Sequence, residues 1–155
     1  MEDFFEMADE SVEEPLCFYA EDIDFELKNK DLIAKWITDS AAAENKTVEG
    51  VNFIFCSDNY LHKINVEYLQ HDTLTDVITF PYSKKKDSFI SGDIFISVER
   101  TTENAAIYNV TPEHELNRVM IHGILHLIGY GDKSAARKKI MTEKEDFYLS
   151  ALKNS

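Results

Sequence analysis

The stretch IHGILHLIGYGD, residues 121–132, decides how this chain folds and what it holds. His122 and His126 stand four residues apart in an otherwise apolar run. An α-helix turns once every ~3.6 residues, so the two imidazoles share a face, about 6 Å apart along the axis. Histidines at that spacing can hold one metal ion. Burying them without a shared partner would instead leave several polar nitrogens to satisfy. Gly129 stops the helix, and the turn Tyr130-Gly131 can bring Asp132 back as a third ligand. The pattern differs from the metalloprotease H-E-x-x-H, because Gly123 stands where that motif has its glutamate base. Gly123 is too small for chemistry and permits close packing by another element or by substrate.

Working outward, Thr111-Pro112 is a helix start, with threonine as N-cap and proline at the first helical position. The helix is expected to run to about Ile128 and to end at Gly129. Leu116, Val119, Met120, Ile121, Ile124, Leu125, Leu127 and Ile128 cover most of its circumference, so it is central and buried. One polar stripe breaks the pattern: His114, Arg118, His122 and His126, each four residues apart. Ser134 starts a last amphipathic helix through Ile140, Met141, Phe147, Tyr148 and Leu149.

The upstream elements frame this helix. Leu16 to Ala20, Val48 to Cys56, Val77 to Phe80 (closed by Pro81) and Phe89 to Val98 read as strands. Helices are expected after Asn29 or Asp31, with Leu32, Ile33, Trp36 and Ile37 at helical spacing, and after Ser57-Asp58, carrying Leu61, Ile64, Asn65, Tyr68 and Leu69. Glu99 to Tyr108 is expected to pack Ala105, Ala106 and Ile107. His71 to Asp76 reads as a polar turn, and Lys84-Lys85-Lys86-Asp87 as the charged tip of a hairpin, the densest positive cluster in the chain. The hairpin makes the sheet mixed. The expected class is therefore α/β (α+β), with about four strands, about five helices and a zincin-like metal helix.

A chain of 155 residues with 44% hydrophobic residues fits one globular domain, placed at 15–155. Residues 1–14 carry seven acidic side chains and no clear period, and read as a disordered or loosely attached extension. They account for about half of the net charge of −13, so the remaining domain is only moderately acidic. The overall charge argues against broad nonspecific binding to nucleic acid but leaves room for a local basic cleft. No apolar run is long enough to span a membrane, and the acidic N-terminus does not resemble a secretory signal. Cys17 and Cys56 are expected as reduced thiols, which suits a cytoplasmic protein.

The run HGILHLIGYGD, followed by Met141 and Glu145, resembles the signature of the YbeY family of endoribonucleases. Ile64-Asn65, Tyr68, Asp72, Thr75 to Pro81 and Ser91 to Ile94 match the family in order and spacing, so the likeness covers about Leu16 to Leu149. It implies an α/β sandwich with a zinc site in a cleft. It also implies endonuclease action on single-stranded RNA in 16S rRNA maturation and 70S ribosome quality control. Ribosomal particles and ribosomal proteins follow as partners, with no membrane or DNA involved.

Two positions depart from the family. Its third ligand is usually a histidine, where this chain has Asp132. Carboxylate oxygen binds Zn²⁺ at about the distance imidazole nitrogen does, and the extra negative charge makes a weaker Lewis acid, better suited to Fe²⁺ or Mn²⁺ than three histidines are. Leu69 stands where the family usually has an arginine that holds substrate phosphate. Arg118, on the stripe with His122, is the geometric replacement, with Lys63 or Lys84–Lys86 as alternatives; it is equally an ion-pair partner for Glu115 or a neighbouring carboxylate. The expected site is thus His122, His126 and Asp132 on the metal, with His122 and Arg118 in the catalytic role. His114 and Glu145 are candidates for a general base. A non-catalytic ribosome-assembly factor with a structural metal, and a metal-dependent hydrolase of another substrate, are the rival readings.

Overall fold

The computed structural model describes residues 14–70 and 75–153. The acidic extension lies outside them except for Glu14, as does the first part of the turn expected at His71 to Asp76. Four strands form one sheet in the order β1-β2-β4-β3: β1 Leu16–Ala20, β2 Thr47–Cys56, β3 Val77–Pro81 and β4 Phe89–Ser97. The first three neighbours run parallel, and β3 pairs with β4 antiparallel through the lysine-bearing hairpin, so the sheet is mixed as expected. Around it lie α1 Lys30–Ala43, α2 Asp58–Leu69, α3 Val98–Tyr108, α4 Pro112–Ile128 and α5 Ala135–Lys153.

Residues alternate between the two faces of each strand, and the central strands use both. Val51, Phe53 and Phe55 of β2 and Ile94 and Ile96 of β4 join the main core, with Trp36 and Ile37 of α1, the apolar side of α4, and Met141 and Tyr148 of α5. Phe18, Phe53 and Phe55 stack across β1 and β2, with near-parallel rings 5.6–6.5 Å apart. The opposite face is smaller: Cys56, Leu61, Ile64 and Ile78 are buried there, with Phe80 and Phe95 packed against them. Both cysteines are free, and burial pushes the Cys56 thiol up to about 12, with Asp22 and Glu21 adding repulsion.

Local chemistry sets the helix ends. Ser57, Ser97 and Thr111 accept hydrogen bonds from backbone N–H groups of the first turns they precede. The start of α1 is different: Asn29 occupies its N-cap with φ 58° and makes no side-chain cap bond. Two other expectations are corrected. Ala106 is exposed and Ile107 is 74% exposed, because α3 meets α4 through its Thr101 and Ala105 side. In α5, Met141, Tyr148 and Leu149 are buried but Ile140 and Phe147 are not.

Gly123 sets the seat of α4. A Cβ there would lie 2.8 Å from Ile94 Cγ2 and 3.1 Å from Cδ1, so the helix reaches β4 only because the side chain is absent. Gly92 of β4 is as crowded, since a Cβ would fall 2.6 Å from the Phe80 carbonyl oxygen and 3.0 Å from Leu127 Cδ2. Substituting Gly123→Ala overpacks this contact and should cost about 1–3 kcal/mol, read by guanidinium chloride unfolding. Unchanged stability would mean that Ile94 repacks freely and that the glycine is not what seats the helix.

Candidate metal centre

His122 and His126 lie on the same face of α4, ring centroids 4.6 Å apart and planes 81° apart. Thr111 and Pro112 start this helix in register, and the Gly129 N–H closes it on the carbonyls of Leu125 and His126. Gly129 has φ +126°, a conformation that side chains disfavour, and the chain turns there toward Asp132. Asp132 Oδ2 ends 3.5 Å from His122 Nε2 and 3.3 Å from His126 Nε2. Ligand atoms of the three residues all lie within 4.8 Å of one another. Tetrahedral bonds of ~2.0–2.2 Å place neighbouring donor atoms about 3.3–3.6 Å apart, so the three fit one divalent ion with a position left open.

The far nitrogen of His122 decides what the near one can do. His122 Nδ1 lies 2.5 Å from Glu145 Oε2, on α5. A carboxylate there accepts the Nδ1 proton and leaves the Nε2 lone pair facing Asp132, the arrangement that fixes tautomer and ring orientation in histidine metal ligands. Glu145 is almost fully buried, as is Glu115, and Arg118 joins them. Its Nε and Nη2 donate to Glu115 at 3.0 and 2.5 Å, and its Nη1 donates to Glu145 Oε1 at 3.0 Å. The Glu115 hydrogen bonds hold the guanidinium well above its ordinary basicity, against the opposing effect of burial.

Burial makes the His126 imidazole less basic than usual, the charge of His122 adds to this, and Asp132 opposes it. The neutral ring is the form that can ligate. Asp76 shares the neighbourhood: burial raises its carboxyl above the usual range, while Arg118 and then His122 partly offset this.

Glu44, just past the end of α1, braces the turn from behind. It accepts from Tyr130 Oη at 2.7 Å, Lys144 Nζ at 2.9 Å and the Tyr148 hydroxyl. The Tyr130 backbone also hydrogen-bonds the His126 ring. Burial alone would raise the Glu44 carboxyl, but the three donors outweigh it and hold it below 4.5.

Of the residues named from the sequence, His122, His126, Asp132, Arg118 and Glu145 come together. His114 lines a separate cleft with Val110, Asn117 and Leu149. Lys63 and Leu69 are exposed on α2, whereas Lys85 lies against Gly129. Glu44 and Asp76 were missed as site residues, although Asp76 lies within the family-like run Thr75 to Pro81.

Fold and site together define an α/β protein with a two-histidine, one-carboxylate metal-binding geometry on its central helix. A family model described as Endoribonuclease YbeY matches residues 17–153, and the chain belongs to that family. Relatives named Endoribonuclease YbeY include one from Amoebophilus asiaticus, 48% identical over 88% of this chain and 92% of its own length. Another, from Flavobacterium johnsoniae, is 52% identical over 79% of this chain and 87% of its own. The solution structure of TM1509 from Thermotoga maritima superposes with a TM-score of 0.62 at 29% identity, covering 88% of each chain.

Two substitutions probe the supports. Glu145→Gln removes the anionic acceptor of His122 and should weaken Zn²⁺ or Mn²⁺ binding by about 10–100-fold in a chelator competition assay; an unchanged affinity would show that the carboxylate does not orient the ring. Glu44→Gln should cost about 1–2 kcal/mol at pH 7, where the wild-type carboxylate is ionised. A carboxyl held low in the folded state contributes stability above its unfolded value of 4.5 and loses it as pH falls toward the folded value. The gap between wild type and variant should therefore close below pH 4.5 in urea titrations, and a constant gap would contradict this account.

Proposed function

We propose that this chain is a metal-dependent endoribonuclease that hydrolyses phosphodiesters of single-stranded RNA in 16S rRNA maturation and ribosome quality control. Its place is then the cytoplasm, and ribosomal particles or ribosomal proteins are its partners. The observation that carries this reading is the His122–His126–Asp132 triad, backed by Glu145, in a chain of the Endoribonuclease YbeY family.

His122, His126 and Asp132 hold the cation, Zn²⁺ by family likeness and Fe²⁺ or Mn²⁺ as candidates given the carboxylate. When bound, a divalent ion supplies Lewis acidity toward a phosphoryl oxygen and toward a water nucleophile. The protein supplies the rest. Glu145 holds the His122 ring by its Nδ1 and so turns Nε2 toward the cation. Arg118 donates to Glu145 and so acts through that carboxylate, while burial makes the His126 ring less basic and favours the neutral form that ligates. Asp132 partly neutralises the ion's charge, which tempers its acidity relative to a site of three histidines.

One observation favours a second reading. Arg118 already donates to two carboxylates, and Leu69 stands where the family usually has its phosphate-holding arginine. A protein lacking that cation could bind ribosomal particles as an assembly factor without cutting. Metal-reconstituted protein should cleave single-stranded and ribosomal RNA, lose activity to a chelator, and lose at least 100-fold with His122→Ala. Intact rRNA at all protein concentrations, with particle binding preserved, would overturn the nuclease reading in favour of the assembly factor.

A further inference from the structure

Two basic segments, far apart in the chain, meet at the turn that carries Asp132. Lys85 of the β3–β4 hairpin lays its stem against Gly129, where a Cβ would stand 2.6 Å from its Cγ and 3.0 Å from its Cε. Arg137, in the first turn of α5, lies over Gly131, where a Cβ would stand 3.6 Å from its Cδ and 3.8 Å from its Nη1. Gly129 thus leaves room for the Lys85 stem, and Arg137 lies in ordinary contact over Gly131, so two cationic side chains flank Asp132.

Their neighbours extend the pattern. Lys84 and Lys86 flank Lys85, Lys133, Lys138 and Lys139 surround Arg137, and all are exposed. Seven of the chain's 16 basic residues sit in these two segments, opposed there only by Asp87 and Asp132. Asp87 is engaged within the loop, its Oδ2 accepting the Lys84 backbone N–H at 2.8 Å. Among the described residues, none of the seven forms an ion pair. Lys46 anchors the hairpin tip by donating to the carbonyl oxygens of Lys85, at 2.8 Å, and Asp87. The loop is held through its backbone, and its ammonium groups stay available.

We propose that these two segments form a docking surface for the sugar-phosphate backbone of RNA, laid along the turn so that a phosphodiester faces His122, His126 and Asp132. This rests on the RNA-cleaving reading above. In a chain of net charge −13, a polyanion is repelled by most of the surface. A dense patch of unpaired lysines and an arginine beside the ligand turn therefore selects both where the strand lands and how it is oriented. Lysine ammonium groups and an arginine fork are the side chains that take phosphate oxygens, the latter in two-point fashion.

The test uses the full chain, metal-loaded, and a fluorescent single-stranded RNA titrated across a salt series. The double variant Lys85→Met/Arg137→Gln keeps apolar stems over the glycines and removes two charges; equal thermal midpoints verify the fold. Removing one phosphate-binding cation lowers the slope of log affinity against log salt by about 0.7, so the slope should fall by about 1.4. Cleavage should show KM raised about tenfold with kcat nearly kept. The control Lys28→Ala/Lys30→Ala, at the start of α1, should leave the slope unaltered. RNA cleavage with an unaltered slope in the Lys85/Arg137 variant overturns the docking surface alone. Wild-type protein that binds RNA with the expected slope difference but never cuts it overturns the cleavage reading alone. Poly-glutamate bound as tightly as RNA, with the same slope, overturns RNA as the occupant.

Discussion

The contact between His122 Nδ1 and Glu145 organises more of this molecule than any other single interaction. It crosses from α4 to α5 and ends on a carboxylate that is almost fully buried. A carboxylate buried to this degree needs compensation, since desolvation of an ion costs several kcal/mol unless partners restore the lost solvation. Arg118 supplies that from one side and the imidazole from the other. Because Arg118 also holds Glu115, two buried anions share one guanidinium, and the remaining negative charge is directed at the histidine. The array costs stability relative to an apolar core of the same volume. What it provides is a histidine whose Nδ1 is held against a buried carboxylate in one orientation.

The same logic explains why the ligand helix is so tightly seated. Imidazoles can converge on one ion only if their backbone is placed to within about half an ångström. Gly123 against Ile94 and Gly92 against Phe80 remove the side-chain volume that would otherwise let α4 float above the sheet. The turn after the helix is fixed from a different direction, through Tyr130 and Glu44. Three supports from α1, α5 and β4 thus surround a site whose own residues come from a run of eleven.

That short run is why so much was legible in advance. His122, His126 and Asp132 are related by helix geometry and a glycine stop, both local, and the caps Ser57 and Thr111 are equally local. The strands announced themselves by alternation, and the hairpin gave the mixed sheet. What local patterns do not carry is the identity of a distant partner. Glu145 was visible as a family-like residue, but its bond to His122 depends on α5 folding back along α4. Glu44 meets Tyr130 across 86 positions, with no periodicity to connect them. Ile107 and Phe147 failed for a related reason. Helical spacing shows that a residue shares a stripe, but whether a neighbouring element covers that stripe is settled by tertiary packing. Arg118 read as either a phosphate ligand or an ion-pair partner, and its three donors to Glu115 and Glu145 match the second.

Asp132 differs from the two histidines in what carries it. They sit on a helix wedged against the sheet, whereas it follows Gly131 at the end of a turn pinned at Tyr130. The site therefore has two stationary donors and one on a short tether. Were a divalent ion held there, the two imidazoles would be its fixed partners and the Asp132 oxygen the one that backbone rotation at Gly131 can withdraw. Release of such an ion would then draw on backbone freedom in a two-residue segment instead of on the unfolding of a helix. Gly131 and Glu145 would then bear on different properties of the site, the first on how readily a donor moves and the second on how His122 is oriented.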